Sequence, residues 1–190
     1  MQHRLKIAAV IGSFQRPSRT AALVEALLER FAERLPVDID VIEISDIGKA
    51  LGGAFSVSAL PEAVRRQFAA VESADFLIVA APVFRGTYPG LFKHFFDLVG
   101  QNALVDTPVL LAATGGSDRH ALVIDHQLRP LFSFFQSLTL PIGVYGTETD
   151  FSDYRVSSPA LQTRIDLAVE RALPLLRARQ ARVAAELLAA

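Results

Sequence analysis

Residues 7–20 read Ile7-Ala8-Ala9-Val10-Ile11-Gly12-Ser13-Phe14-Gln15-Arg16-Pro17-Ser18-Arg19-Thr20. An apolar run ends in Gly12-Ser13, a polar loop with one proline follows, and Thr20 opens a long amphipathic segment. The order is strand, loop, helix start. Such a junction turns unsatisfied backbone N–H groups and the positive end of a helix toward whatever occupies the loop, which makes it an anion site. Ser13, Ser18 and Thr20 add hydroxyls, and Arg16 and Arg19 add guanidinium forks that suit a phosphate. Each hydrogen bond to a charged group contributes about 1.5–3 kcal/mol, so a handful can hold a phosphate monoester. The loop is not a Walker loop, because Pro17-Ser18-Arg19 stands where a second glycine and Lys-Ser/Thr belong. Nor is it the G-x-G-x-x-G dinucleotide fingerprint, because it has Gly12 alone. Taken by itself, the stretch reads equally as an ordinary strand-to-helix turn with a capping hydroxyl.

Working outward, strand and helix patterns alternate. Residues 6–11 form a continuous apolar run, a strand buried on both faces. Residues 20–35 carry Leu23, Ala26, Leu27, Phe31 and Leu35 at helical spacing until Pro36 stops them. Residues 38–44 alternate as a strand, and the glycine-bearing stretch 45–60 reads as a surface crossing. A helix over 61–72 has proline in its first turn. A strand over 76–81, a helix over 89–99 and a strand over 108–113 follow. Residues 119–138 are mostly helical, 142–145 a short last strand, and 147–158 a polar loop. A final helix from 159 is expected to bend at Pro174. Five alternations predict an α/β fold with a parallel sheet covered by helices on both faces. The expected division is one domain over 1–174 and a helical extension over 175–190.

Composition narrows the function. The chain has 190 residues, 51% of them hydrophobic, which suits one domain with a sizeable core. A formal net charge of −1 offers no basic surplus for nucleic acid or an anionic membrane. Cysteine is absent, which excludes a disulfide, a thiolate metal site and a cysteine nucleophile. No apolar run approaches the roughly 18 residues of a membrane helix, and the first ten residues do not read as a signal peptide. The expected location is the cytoplasm. His94 and Asp97 lie one helical turn apart, but no third ligand has suitable spacing, so no metal is expected. His120 and His126, six residues apart, would point about 240° apart on an α-helix.

In an open α/β sheet, ligands sit beyond the carboxyl ends of the strands. Three loops are therefore expected to meet: 12–20, 81–88 and 114–120. The second, Pro82-Val83-Phe84-Arg85-Gly86-Thr87-Tyr88-Pro89-Gly90, has a stiff backbone, with Phe84 and Tyr88 offering planar faces. The third contains Thr114-Gly115-Gly116, whose backbone N–H groups can meet carbonyl acceptors. A planar heterocycle with a phosphate tail would span all three; turn glycines without a ligand are the alternative.

The combination Gly12-Ser13…Pro17-Ser18-Arg19-Thr20, residues 81–93 (Ala-Pro-Val-Phe-Arg-Gly-Thr-Tyr-Pro-Gly-Leu-Phe-Lys) and Ala113-Thr114-Gly115-Gly116-Ser117…His120 resembles the NAD(P)H-dependent FMN reductase family of flavodoxin-like fold. Within it, the chain is similar to the branch serving two-component alkanesulfonate and methanesulfonate monooxygenases. The similarity runs from the first strand to about residue 171. It implies a five-stranded parallel sheet of order 2-1-3-4-5, with FMN and NAD(P)H as cofactors. The resemblance assigns the phosphate loop to Ser13, Ser18, Arg19 and Thr20, with Arg16 added for its charge. It assigns the isoalloxazine loop to Pro82, Val83, Phe84, Arg85 and Gly86, and the pyrimidine edge to Gly115 and Gly116, with Thr114 counted among the cofactor-binding residues. Tyr88 falls beside the ring pocket, and His120 at a matching loop position. No catalytic acid or base is implied, since hydride transfer from nicotinamide to flavin needs positioning. Reduced FMN would leave for a flavin-dependent monooxygenase. An FMN-retaining quinone or azo reductase, a flavodoxin-like electron carrier and a fold that binds no flavin are the rivals.

One departure concerns the segment before Pro130. The alkanesulfonate reductases insert a tyrosine in the fourth helix, forming a π-bulge at the tetramer interface; here His126 takes that position. Independently, Pro130 has no N–H to give the His126 carbonyl, which a π-type turn accommodates. A proline kink with a surface histidine is the alternative. Leu128, Leu131, Phe132, Phe134, Phe135 and Leu138 are apolar on more than one side, which predicts a subunit interface and a homodimer or homotetramer. A preference between NADH and NADPH is not legible, because no arginine pair marks a 2′-phosphate site.

Overall fold

Runs of small and β-branched apolar residues build the centre of the molecule. In the computed structural model, which describes residues 4–189 and side chains as far as 185, β1 (Leu5–Ile11), β3 (Phe76–Pro82) and β4 (Pro108–Gly115) lie side by side. β2 (Val37–Glu43) flanks β1, giving the parallel order β2-β1-β3-β4. Every residue of β3 is buried, as a parallel strand covered on both faces requires. Alternate residues of β1 feed two cores. Ala8 and Val10 pack under α2 (Ile44–Leu51), α3 (Glu62–Glu72), α4 (Gly90–Leu98) and α5 (Arg129–Phe134). Ile7, Ala9 and Ile11 pack under α1 (Arg19–Ala32) and α6 (Pro159–Ala189).

The order expected from the sequence is the order found, with one correction. The fifth position is divided: β5 (Leu138–Thr139) pairs with the start of β4, and β6 (Val144–Thr147) with its end, so the sheet has six strands. Pro141 lies between the two pieces, and proline cannot donate to a ladder.

Three other segments depart from expectation. The stretch 45–60, read as a crossing, contains most of α2; Ile44, Ile47 and Leu51 bury one face of it. The polar loop 147–158 contains a hairpin of β7 (Phe151–Ser152) and β8 (Arg155–Val156). Asp153 and Tyr154 form its two-residue turn with φ of 48° and 56°, the conformation that matches strand twist. The stretch 119–138 is mostly helical, as read, but broken into pieces: a tight turn at Asp118–His120, a π-helical turn at Ile124–Leu128 and the short α5.

That π turn contains His126. The Arg129 N–H donates to the Ile124 carbonyl five residues back, just before Pro130. The apolar residues that follow are covered largely by the chain itself: Leu128, Phe132 and Phe135 are buried in the core, whereas Phe134 is 61% and Leu138 45% exposed. α6 continues through Pro174, so residue 174 falls inside one helix, and Leu176 beyond it is buried. Among the described residues no helix is long and apolar enough to cross a membrane.

Candidate active site

The carboxyl ends of β1, β3 and β4 open into one groove of about 190 Å³. Ser13, Gln15, Pro17, Ser18, Arg19 and Thr20 line it from the first loop, Pro82, Val83 and Phe84 from the second, and Thr114, Gly115 and Gly116 from the third. The three loops expected to converge therefore do so.

The first loop organises its own donors. Ser13 Oγ donates to the Gln15 carbonyl at 3.2 Å and accepts from the Gln15 N–H at 3.3 Å, which curls the loop back on itself. Ser18 is the N-cap of α1, accepting from the Ala21 N–H at 3.3 Å. The first-turn N–H groups of Arg19 and Thr20 precede any intrahelical acceptor, and the helix dipole adds positive potential there. Arg19 reaches across to pair with Glu148 and lies 5.8 Å from the ring centroid of Tyr154. Thr20 is buried, its hydroxyl 2.7 Å from that of Thr114. This contact fastens the start of α1 to the end of β4.

The second and third loops are shaped by the backbone. The Val83 N–H donates to the Thr114 carbonyl at 2.8 Å, joining the two loops. Phe84 is partly exposed and meets Phe14 edge-to-face at 5.9 Å. A Cβ on Gly115 would lie 2.2 Å from Tyr145 Oη, so any side chain there would have to displace the end of that tyrosine. Tyr145 Oη donates to the Ser117 carbonyl at 2.7 Å. Burial, assisted by the charge of Asp118, pushes the Tyr145 hydroxyl above its ordinary pKa and keeps it a donor.

Five other predicted residues stand outside this lining. Arg16 turns away, pairing with Glu43 and Asp46, each at 2.8 Å. The hydrogen bond and charge of Glu43 raise its pKa above the ordinary arginine value. Arg85 and Gly86 form the exposed turn of the ring loop. Tyr88 packs on Phe92 at 5.3 Å, against the core. Gly86 and His120 border a neighbouring hollow that also includes His126. The two histidines share that hollow because the intervening chain is not one α-helix. His94 Nε2 lies 3.0 Å and 2.9 Å from the carbonyls of Leu51 and Ala54, bracing α4 against the end of α2.

Sequence reading missed four residues around the groove: Gln15, Tyr145, Glu148 and Tyr154. Tyr154 lines the groove from the tip of the β7–β8 hairpin. The Asp153-Tyr154 turn lacks the glycine that marks such a hairpin, so the signal that would have exposed it was weak. The donor set suits a phosphate-bearing planar ligand: guanidinium, hydroxyl and helix N–H groups from the first loop, apolar Val83 and Phe84 from the second, glycine backbone from the third. FMN has that chemistry, and the residues present fit it.

A parallel sheet of this order, with its donor loop after the first strand, defines a flavodoxin-like mononucleotide-binding protein. The chain belongs to the NADPH-dependent FMN reductase family, whose model matches residues 5–151; the family comprises oxidoreductases that use FMN and NAD(P)H. It is 59% identical over 175 residues to an NADH-dependent FMN reductase, SfnF, of Pseudomonas fluorescens, covering 92% of this chain and 94% of the relative. It is 56% identical to an NADPH-type FMN reductase of Pseudomonas aeruginosa over the same shares of both chains. Among solved structures, an apo NADH:FMN oxidoreductase matches with a TM-score of 0.78 and 30% identity over 87% of each chain. An oxidoreductase of Corynebacterium diphtheriae matches with a TM-score of 0.76 and 30% identity, over 95% of this chain and 99% of that one.

Proposed function

We propose that this chain reduces FMN with NADPH or NADH and releases the reduced flavin to a two-component flavin-dependent monooxygenase of the alkanesulfonate or methanesulfonate type. The observation that carries the reading is the meeting of the α1 start, the ring loop and Gly115-Gly116 in one groove. The family match and the names of the relatives described above support it. Ser13, Ser18, Arg19 and Thr20, with the N–H groups at the start of α1, hold the phosphate. Val83 and Phe84 face the ring, and the backbone at Gly115 and Gly116 meets its pyrimidine edge. Bound FMN supplies a two-electron acceptor at N5 for the hydride of nicotinamide C4. The chain contributes alignment rather than an acid or base: among the described residues, the lining itself holds no His, Asp or Glu, and nearby Glu148 is paired with Arg19. Release of the flavin fits a site whose main cation is already paired with Glu148. His126, in its π turn, is assigned to assembly or flavin release rather than to hydride transfer. A homodimer or homotetramer covers the exposed Phe134 and Leu138; monomeric sedimentation at micromolar concentration would remove that element.

The test is steady-state oxidation of NADH and NADPH with FMN, FAD and riboflavin as acceptors. The proposal expects turnover with FMN and flavin lost on gel filtration. No oxidation of either nucleotide overturns it. Flavin that stays bound through purification points instead to a retaining quinone or azo reductase.

A further inference from the structure

The ring loop has two sides. Phe84 and Thr87 exchange backbone hydrogen bonds of 2.8 and 3.4 Å, and between them Arg85 and Gly86 take φ of 53° and 92°. Phe84 lines the groove, whereas Gly86 opens on a separate hollow of about 270 Å³. Arg119, His120, His126 and Gln127 contribute to the rest of its wall. The Thr87 hydroxyl donates to Gln127 Oε1 at 3.3 Å, so the ring loop and the π turn are tied across it.

The hollow is cationic. Among the described residues, Arg119 makes no ion pair, and neither does Arg85, which adjoins Gly86. Each imidazole brings at least one further N–H donor. Two carboxylates adjoin the wall in sequence. Asp125 is held by Arg129 at 2.9 Å, and Asp118 acts on Tyr145. A free guanidinium fork beside two imidazoles is a receptor for phosphate oxygens.

The reaction proposed above has two phosphate-bearing ligands, and this inference rests on that reading. The flavin monoester is assigned to the start of α1, on the far side of the ring loop. The anion left over is the diphosphate of the reductant, with or without its 2′-phosphate. We propose that the hollow between the ring loop and the π turn binds the phosphate-bearing part of NAD(P)H, with Arg119 as its principal donor and His120 and His126 beside it. At about 270 Å³ the hollow is smaller than the roughly 300–1,000 Å³ of pockets that enclose a whole ligand. It is a subsite, from which the nicotinamide end extends across Gly86 toward the ring. Arg119 is then a binding residue for the reductant, with no part in flavin binding.

The experiment compares wild type, Arg119→Ala and Arg119→Lys. Calorimetric titration of the FMN-loaded protein with ADP-ribose and with its 2′-phosphorylated form should show roughly tenfold weaker binding in Arg119→Ala, the loss of one charge-assisted contact. Arg119→Lys should recover part of it. In turnover, the KM for the nucleotide should rise by a similar factor while kcat changes less than about twofold, the signature of lost binding shared by ground and transition states. FMN and riboflavin affinities, measured without nucleotide, should not move. Unchanged ADP-ribose binding in Arg119→Ala overturns the proposal. So does an FMN-specific loss with riboflavin unaffected, which would assign the hollow to the flavin phosphate. A wild-type protein that binds no FMN contradicts the reductase reading instead, a separate result.

Discussion

Replacing Glu148 with glutamine should tighten FMN binding. The Glu148 carboxylate holds the guanidinium of Arg19, the two side chains being 58% and 40% exposed. A phosphate arriving at the start of α1 has to take Arg19 from that partner. Ion pairs this exposed contribute about 0.2–1 kcal/mol, and removing the competitor transfers that amount to the ligand. The dissociation constant for FMN should therefore fall by about 1.4- to 5-fold. Quenching of flavin fluorescence during titration measures it, with riboflavin as the control because it lacks the phosphate. Riboflavin affinity should be unchanged. The gain should shrink in high salt, since exposed charges are screened. FMN affinity that stays constant or weakens in Glu148→Gln would refute the reasoning. So would equal tightening of FMN and riboflavin, which would mean that the substitution had reshaped the hairpin carrying Tyr154 rather than freed a cation.

Other perturbations separate shape from charge. Gly115→Ala sets a Cβ 2.2 Å from Tyr145 Oη; overpacking of this kind costs about 1–3 kcal/mol, a melting-temperature loss of about 2–4 °C per kcal/mol in a chain this long. Adding Tyr145→Phe should restore part of it, and additive losses in thermal melts would contradict the steric account. Arg16→Ala should leave FMN affinity unchanged and barely move the melting temperature, because Arg16 is exposed and committed to Glu43 and Asp46. Arg19→Ala should weaken FMN, and equal losses in the two variants would show the assignment to be wrong. Burial pushes the Asp150 carboxyl up, but hydrogen bonds from the Thr147 hydroxyl and amide, with Ser158, bring it below its ordinary value. A lowered folded-state pKa adds stability above the unfolded value near ~3.9, and that share fades as pH falls through the folded value. Asp150→Asn should flatten the acid limb of a stability–pH profile, and an unchanged limb would exclude this source.

The central sheet was legible because β1, β3 and β4 are buried on both faces and therefore read as continuous apolar runs. The edges were harder. Pro141 divides the last position, and β5 has only two residues, too short for a periodic signal. α2 was masked by Gly48, although Ile44, Ile47 and Leu51 keep helical spacing. The π turn was legible from Pro130 together with the family pattern, since a missing N–H is a property of one residue. The groove was largely legible because loop residues near strand ends are forced together by topology. The partner each charge chooses was not. Arg16 and Arg19 sit three residues apart in the same loop, yet one faces α2 and the other Glu148, 129 positions along the chain. Tyr154 reaches the groove through a hairpin whose turn has no glycine to announce it.

The hydroxyl contact between Thr20 and Thr114 sets a gauge. Both side chains are buried, at 2% and 6% exposure, and each is the other's partner 94 residues apart. β1 and β4 are separated by one intervening strand, so two interstrand spacings of about 4.8 Å fix their distance at roughly 10 Å. Pinning the helix that follows β1 to the tip of β4 prevents these jaws from spreading. The loops that follow β1 and β4, both of which line the groove, are thereby held at a fixed spacing.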